Sequence, residues 1–344
     1  MLVSFLVPVY NVKNYISRCL DSILVQNGAP YEVVLLDDGS NDGSEKICDE
    51  YAEKYPDIIR VIHKKNEGLL ITRRRGFEEA KGDWFVCVDS DDYIKPNYLQ
   101  TVADAIEEYS CDMLMFDYES FYPDGHIEAS GIDIKDVQVY EGNQKEAIYE
   151  KRLLKNKYNN MWSKVIKRSV IDYETDYHIY GVKNMCEDAI QSYELYTRAD
   201  KIVFIPQVLY SYRRNIASIT SNLNMDYWNA LRISYELGWT YIKRWNVSEK
   251  TSQAYAARCI CYYCDFMEWL FNKSGFSNNQ VESIINETML QRDEFLCATE
   301  LYKKEDLSTK YLQIRNPMII KMLKKNGKCK AIRLLYKAET FVRR

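Results

Sequence analysis

Over its first hundred residues the chain alternates short apolar runs with stretches of helical period, and every run stops at polar residues. The runs at 2–9, 32–36, 58–62 and 84–88 have the length of buried strands. Between the first two, Tyr15, Ile16, Cys19, Leu20, Ile23 and Leu24 recur at helical spacing; Ile47, Tyr51 and Tyr55 do so less completely after the second. That alternation predicts an α/β fold, a mostly parallel sheet flanked by helices. Ligands of such sheets collect beyond the C-terminal ends of the strands. The ends here read Tyr10-Asn11, Asp37-Asp38-Gly39-Ser40 and Asp89-Ser90-Asp91-Asp92, so three distant segments are expected to meet in one cleft.

Further on, a helix is expected from Pro96, with proline in its first turn and Leu99, Val102, Ala103 and Ile106 on one face. A strand at 113–116 follows. Residues 117–142 read as a hairpin or loop over the cleft, and 201–205 and 208–212 as two short strands. From about residue 222 the pattern turns to long, aromatic-rich helices. This predicts a catalytic domain over 1–220, with nucleotide binding in its first hundred residues, and a helical region over 221–344.

A total of 344 residues buries a sizeable core, and 47% hydrophobic with 28% charged residues is ordinary globular composition. The net charge of −4 gives the whole chain no nucleic-acid footprint. Ten cysteines and three histidines, His63, His126 and His178, show no paired zinc-type spacing; Cys259, Cys261 and Cys264 do not share one helix face, and core packing of reduced thiols accounts for them. Neither a secretory leader nor a spanning apolar run is visible, so a cytoplasmic protein is expected.

Three carboxylates within four residues at the end of 84–88 repel one another and lose hydration unless a cation shares them. Asp89 and Asp91 can hold a metal; they can equally cap a solvated turn. Asp38 beside Gly39 and Ser40 can serve turn chemistry or accept the imide N–H of a uracil. Of Arg73, Arg74 and Arg75, successive side chains point about 100° apart on a helix, which leaves Arg73 as the candidate for phosphate. Glu187-Asp188 stands where Ala189, Tyr193 and Leu195 start a helix, a place that favours acids in any case.

Together these segments resemble the nucleotide-sugar-dependent family 2 glycosyltransferases of the bacterial surface-polysaccharide type, which have the GT-A fold. The resemblance rests on Pro8-Val9-Tyr10-Asn11, Asp37-Asp38-Gly39-Ser40, Asn66-x-Gly68 with Arg73, Gly82-Asp83-Trp84 leading into Asp89-Ser90-Asp91-Asp92, and Glu187-Asp188, in that order over 1–220. It implies that Pro8 and Tyr10 line the nucleotide pocket, that Asp38 reads the base, and that Arg73 serves the base or diphosphate. Asp89 and Ser90 would meet the donor's ribose or sugar, and Asp91 with Asp89 would coordinate Mn²⁺ or Mg²⁺. Asp188 would be the catalytic base of an inverting transfer from a nucleotide sugar, taken as UDP-linked, to a glycan or lipid-linked acceptor. Asp92 is read as the turn alone. Thr72-Arg73-Arg74-Arg75-Gly76 departs from the family's Ala-Arg-Asn-x-Gly at position 74. Met161-Trp162-Ser163-Lys164 and Tyr212-Arg213-Arg214 resemble softer flanking segments; Trp162 is open between wall packing and sugar stacking, and Arg213 and Arg214 read as surface charges.

Two rival functions stand beside this one. A sugar nucleotidyltransferase would need a glycine-rich phosphate loop after the first strand, where this chain has Pro8-Val9-Tyr10-Asn11. A degenerate sugar-nucleotide-binding scaffold would have no reason to keep Asp89, Asp91 and Asp188 together. Residues 315–344 carry ten basic residues against Glu339 alone, interleaved with apolar ones. This is the pattern of a peripheral anchor for the anionic inner face of the cell membrane, with packing on its own domain or a homodimer contact as the other readings.

Overall fold

The computed structural model describes residues 1–287 except 133, 215–223 and 273; the basic segment 315–344 lies outside the described residues. Strand β1 (Val3–Val9) is followed by α1 (Ile16–Leu24), β2 (Tyr31–Asp37), α2 (Ser44–Lys54), β3 (Ile59–His63), α3 (Leu69–Glu79) and β4 (Trp84–Cys87). Next come β5 (Tyr93–Ile94), α4 (Tyr98–Tyr109), β6 (Met113–Phe121), β7 (Ile127–Ala129), β8 (Gln138–Glu141), α5 (Lys145–Leu154), β9 (Lys164–Lys167), α6 (Glu187–Arg198) and β10 (Lys201–Arg213). Helices α7 (Met225–Trp245), α8 (Glu249–Asn272) and α9 (Asn278–Ile285) close the described chain.

One sheet runs β3-β2-β1-β4-β9-β6-β10-β5, with β7 on β6 and β8 on β10. Strands β3, β2, β1 and β4 pair parallel, as the alternation predicts. The other half departs from that pattern, because β9 enters antiparallel between β4 and β6. All seven residues of β1 are buried, which explains its unbroken apolar run: helices cover both faces of the parallel half. Phe5, Val7, Val33 and Leu35 pack with Ile16, Leu20, Leu99 and Val102 in one core, while Gly76 of α3 lies against Leu36 and Leu6 on the opposite face.

Three expectations are revised. Pro96 is outside the helix it was expected to start: α4 begins at Tyr98, with Asn97 as its N-cap. The two strands at 201–205 and 208–212 are one, β10, whose pairing with β6 slips between Ile205 and Val208 and again between Val208 and Tyr210. Pro206, which has no N–H for the ladder, lies at the first slip. The strand expected at 113–116 is longer, since β6 continues to Phe121, and its hairpin with β7 is one of the two forms expected for 117–142.

By internal contacts the chain divides into Met1–Ser234 and Tyr235–Arg344. In the second unit Tyr255, Ile260, Tyr263, Met267 and Leu270 of α8 are buried, and Trp239 meets Tyr255 edge to face at 5.3 Å. Cys259 is buried and Cys261 half-buried, in keeping with core packing.

Gly82 marks the tightest join before the acidic strand end. Its N–H donates to Ser4 Oγ at 2.8 Å, and a Cβ there would stand 2.8 Å from the Ser4 nitrogen and 2.9 Å from the Leu2 oxygen. Backbone cannot yield as a side chain can. Gly82→Ala is therefore expected to cost about 1–3 kcal/mol, the range for overpacking, read as a lower urea midpoint at unchanged slope; an unaltered midpoint contradicts this account.

Candidate functional site

Two chain segments deliver carboxylates, and a third an arginine, to the C-terminal edge of the parallel strands. Beyond β4, Asp89 is part-exposed, Ser90 and Asp92 are buried and Asp91 is half-buried. At the start of α6 stand Glu187 and Asp188, after Cys186 in a left-handed conformation, φ 57°. Between them lies Arg73, one turn into α3 and fully buried. Its Nη1 donates to Asp188 Oδ1 at 2.5 Å and to Glu187 Oε1 at 3.3 Å, and its Nη2 to Asp89 Oδ1 at 2.7 Å.

The position of Arg73 follows from how α3 begins. Gly68, at φ 90°, has no room for a Cβ: one would lie 2.6 Å from Lys183 Cβ. The first helical amides, Leu69 and Leu70, are capped by Asn184 Oδ1 at 2.9 Å and the Lys183 carbonyl at 3.1 Å. Asp38, at the end of β2, accepts from the Glu67 and Gly68 amides at 2.9 and 2.8 Å and pairs with Lys64. The segment that leads into α6 therefore supplies the cap of α3, and the two helix starts are fixed together.

Electrostatics follow from this burial. Desolvation raises the Asp188 carboxyl, and Asp89 adds to it, while Arg73 and Lys164 oppose the shift. Desolvation and Asp188 likewise raise Glu187. Burial alone would lower Arg73, but Asp188, Asp89 and Glu187 more than offset that and keep the guanidinium charged. Lys164, fully buried on β9, donates to the Asn160 carbonyl; burial lowers its pKa against the pull of Asp188. Asp91 makes none of these pairings. Burial and then Asp89 push its carboxyl up to about 6, so it is an acid short of positive charge.

The remaining sequence candidates are placed as follows. Pro8 is buried within β1 and Tyr10, 48% exposed, stands at its open end. Arg74 donates to the Asp172 carbonyl and lies over the Tyr177 ring; Arg75 pairs with Glu78 and Glu79 at the surface. Trp162, 4% exposed, is a wall residue: it stacks on Tyr210 at 4.6 Å and on Tyr212 at 5.4 Å and meets Tyr118 edge to face. Arg213 is not a free surface charge, since its guanidinium lies over Tyr15 and Phe121 and its Nε donates to the Asp91 carbonyl at 2.8 Å. Arg214 is exposed.

Asp92 is also more than a turn residue. It is 1% exposed and accepts from Tyr210 Oη at 2.8 Å and the Arg213 amide at 2.6 Å, which ties the acidic loop to β10. Sequence reasoning missed the roles of Tyr210 and Lys164. A signal existed for the second, a lysine opening the apolar Lys164-Val165-Ile166; none existed for the first. Among the described residues no three His, Cys, Asp or Glu side chains form a complete metal cage.

The profile of Glycosyl transferase family 2 matches residues 4–174. Among curated proteins, the chain is 28% identical over 295 residues to the glycosyltransferase EpsH of Bacillus subtilis, covering 85% of this chain and 83% of that one. It is 30% identical over 227 residues to the glycosyltransferase GlyA of Streptococcus pneumoniae, covering 63% of this chain and 31% of that longer protein. Among solved structures, S. aureus TarS superposes with TM-score 0.62 at 18% identity, covering 100% of this chain and 91% of that chain. A second TarS structure, in complex with UDP-GlcNAc, gives TM-score 0.57 at 18% identity over 100% and 92% of the two chains. These likenesses bear out the GT-A fold and favour a glycosyltransferase over the nucleotidyltransferase and scaffold readings.

The Arg73 cluster generates a pH-dependent expectation. Removal of the guanidinium leaves Asp89, Glu187 and Asp188 without their shared cation, and breaking a buried pair costs about 3–5 kcal/mol. The folded pKa values of Glu187 and Asp188, already raised, then rise further above those of the unfolded chain, so stability is recovered as pH falls and lost as pH rises. The stability deficit of Arg73→Met should accordingly be larger at pH 8 than at pH 5.5 in denaturant titrations. Equal deficits at the two pH values would contradict the electrostatic account.

Proposed function

The chain belongs to glycosyl transferase family 2, and on that premise we propose that it moves a sugar from a UDP-linked donor to a hydroxyl of a glycan or lipid-linked acceptor. The transfer inverts the anomeric carbon, uses a divalent cation and serves bacterial surface polysaccharide assembly. The observation that carries this reading is the Arg73 bridge, which sets the Asp188 carboxylate at the start of α6 beside the Asp89 carboxylate beyond β4. The UDP assignment is supported by TarS, a protein of the same fold solved with UDP and with UDP-GlcNAc.

In this assignment Pro8 and Tyr10 border the base pocket. Asp38 shapes its floor through the Glu67 and Gly68 amides, and Asp89 with Ser90 faces the donor ribose and sugar. Arg73, being buried, acts on the acids and not on the diphosphate. Asp188 is the base: its side chain is 21% exposed against 11% for Glu187, so it is the more accessible of the pair. Asp188 takes the proton of the acceptor hydroxyl as that oxygen attacks the anomeric carbon. The bond from that carbon to the diphosphate oxygen breaks, and its electron pair leaves with UDP. A single displacement of this kind inverts the centre. A carboxyl raised above its ordinary range is the better base near neutral pH, and such assistance contributes about 10²–10⁴-fold.

Asp91 with Asp89 would hold Mn²⁺ or Mg²⁺. The fit is chemical: two hard oxygen donors with a deficit of positive charge, and an incomplete cage that diphosphate oxygens would fill. When bound, the cation supplies Lewis-acid stabilisation of the leaving diphosphate. The basic segment 315–344 is assigned to an anionic membrane, where lipid-linked acceptors reside.

Asp188→Asn should abolish transfer and leave UDP affinity within about twofold of wild type, because a group that acts on the acceptor proton contributes to turnover and not to nucleotide binding. Loss of UDP binding in parallel would remove Asp188 from that role. The Asp91 carboxyl must release a proton near pH 6 before it can take a cation. Calorimetric Mn²⁺ affinity of the UDP complex should therefore fall as pH drops from 7.5 to 5 and be largely lost in Asp91→Asn; a flat profile in wild type contradicts the metal assignment.

A further inference from the structure

The acid corner is held from behind by a residue that touches neither donor nor acceptor in the arrangement above. Tyr210 is fully buried on β10. Its hydroxyl donates to Asp92 Oδ2 at 2.8 Å and accepts from the Asp89 amide at 3.1 Å, so one oxygen spans both ends of the Asp89–Asp92 turn. The turn is closed on itself only by the Asp92 amide donating to the Asp89 carbonyl at 3.0 Å. The Tyr210 ring is fixed in turn by Trp162, 17° from parallel at 4.6 Å.

The backbone explains why a tyrosine of β10 reaches this loop. The pairing of β10 with β6 slips on either side of Val208, after which Leu209 and Tyr210 are both fully buried. Strict alternation would place them on opposite faces of the sheet. Slips of this kind re-aim side chains beside functional sites. In the same stretch Ser211 pairs with Tyr93 of β5, directly after the acidic turn, so β10 and the turn are in register.

We propose that Tyr210 is a positioning residue for the cation site: by pinning the Asp89 amide and the Asp92 carboxylate it presets the directions in which Asp89 and Asp91 present their oxygens. The proposal rests on the assignment of Asp89 and Asp91 to a divalent cation. Groups that orient ligands from outside the coordination sphere typically contribute about 10–100-fold to metal affinity.

The test is Tyr210→Phe, which keeps the ring against Trp162 and removes the hydroxyl. Calorimetry of Mn²⁺ into the UDP complex should show affinity lowered by about tenfold, the lower end of that range. UDP binding in EDTA should be unchanged, and the turnover rate should largely recover at saturating Mn²⁺. A residue needed only for folding would weaken metal-free UDP binding as well. Asp92→Asn, altered at the other end of the same bond, should act similarly, and the double variant should lose less than the product of the two single losses. Unchanged Mn²⁺ affinity in Tyr210→Phe, or an equal loss of metal-free UDP binding, overturns the role of Tyr210. Absence of Mn²⁺ binding by wild type overturns the cation assignment and the inference together.

Discussion

A single guanidinium, that of Arg73, makes the rest of the site tenable. Three carboxylates from two chain segments converge at the edge of the sheet, partly removed from water, and without a cation among them they would repel one another. Arg73 lies where it can serve all three, with Nη1 shared by Glu187 and Asp188 and Nη2 given to Asp89. A planar fork bridges such acids better than an ammonium would, since it divides its donors between partners on different sides. The same interaction couples the end of β4 to the start of α6 and so sets the distance between the two functions assigned to the cleft.

The surrounding fold protects that geometry in two ways. Asn184 and Lys183 cap α3 from the segment that leads into α6, so Arg73 and its acidic partners cannot move independently. On the far side, β10 returns along β6 and ties Asp92 through Tyr210 and the Arg213 amide. Asp91, between these anchors, makes no direct side-chain pair with a described cation, and burial with Asp89 beside it raises its carboxyl. The structure ties down Asp89 and Asp92 on either side of Asp91.

Much of the parallel half was legible because its signals are short-range. Buried strands announce themselves as apolar runs, covering helices by their period, and strand ends by acids and glycines. The acidic turn after β4 and the acidic pair at the start of α6 were visible for the same reason. Arg73 stands out in the sequence, but its role there reads differently, because a helical arginine near a cleft suggests phosphate and nothing local says that carboxylates will surround it. The sequence offers two short strands where β10 is one, because nothing local says that the pairing with β6 resumes past the slip at Pro206, and Asp92 reads as a turn because its partners are more than a hundred residues away.

The sequence by itself determined the α/β class, the polar ends of the parallel strands, and the identities of the acids that gather there. Tertiary structure alone decided which acids share the Arg73 guanidinium, which are held by uncharged partners, and which side chains support them. The physical reason is the range of the interactions. Period and turn chemistry act over a few residues, whereas the bonds from Arg73 to Asp188 and from Tyr210 to Asp92 span 115 and 118 residues. Such bonds exist only once the sheet has brought β4, α6 and β10 together.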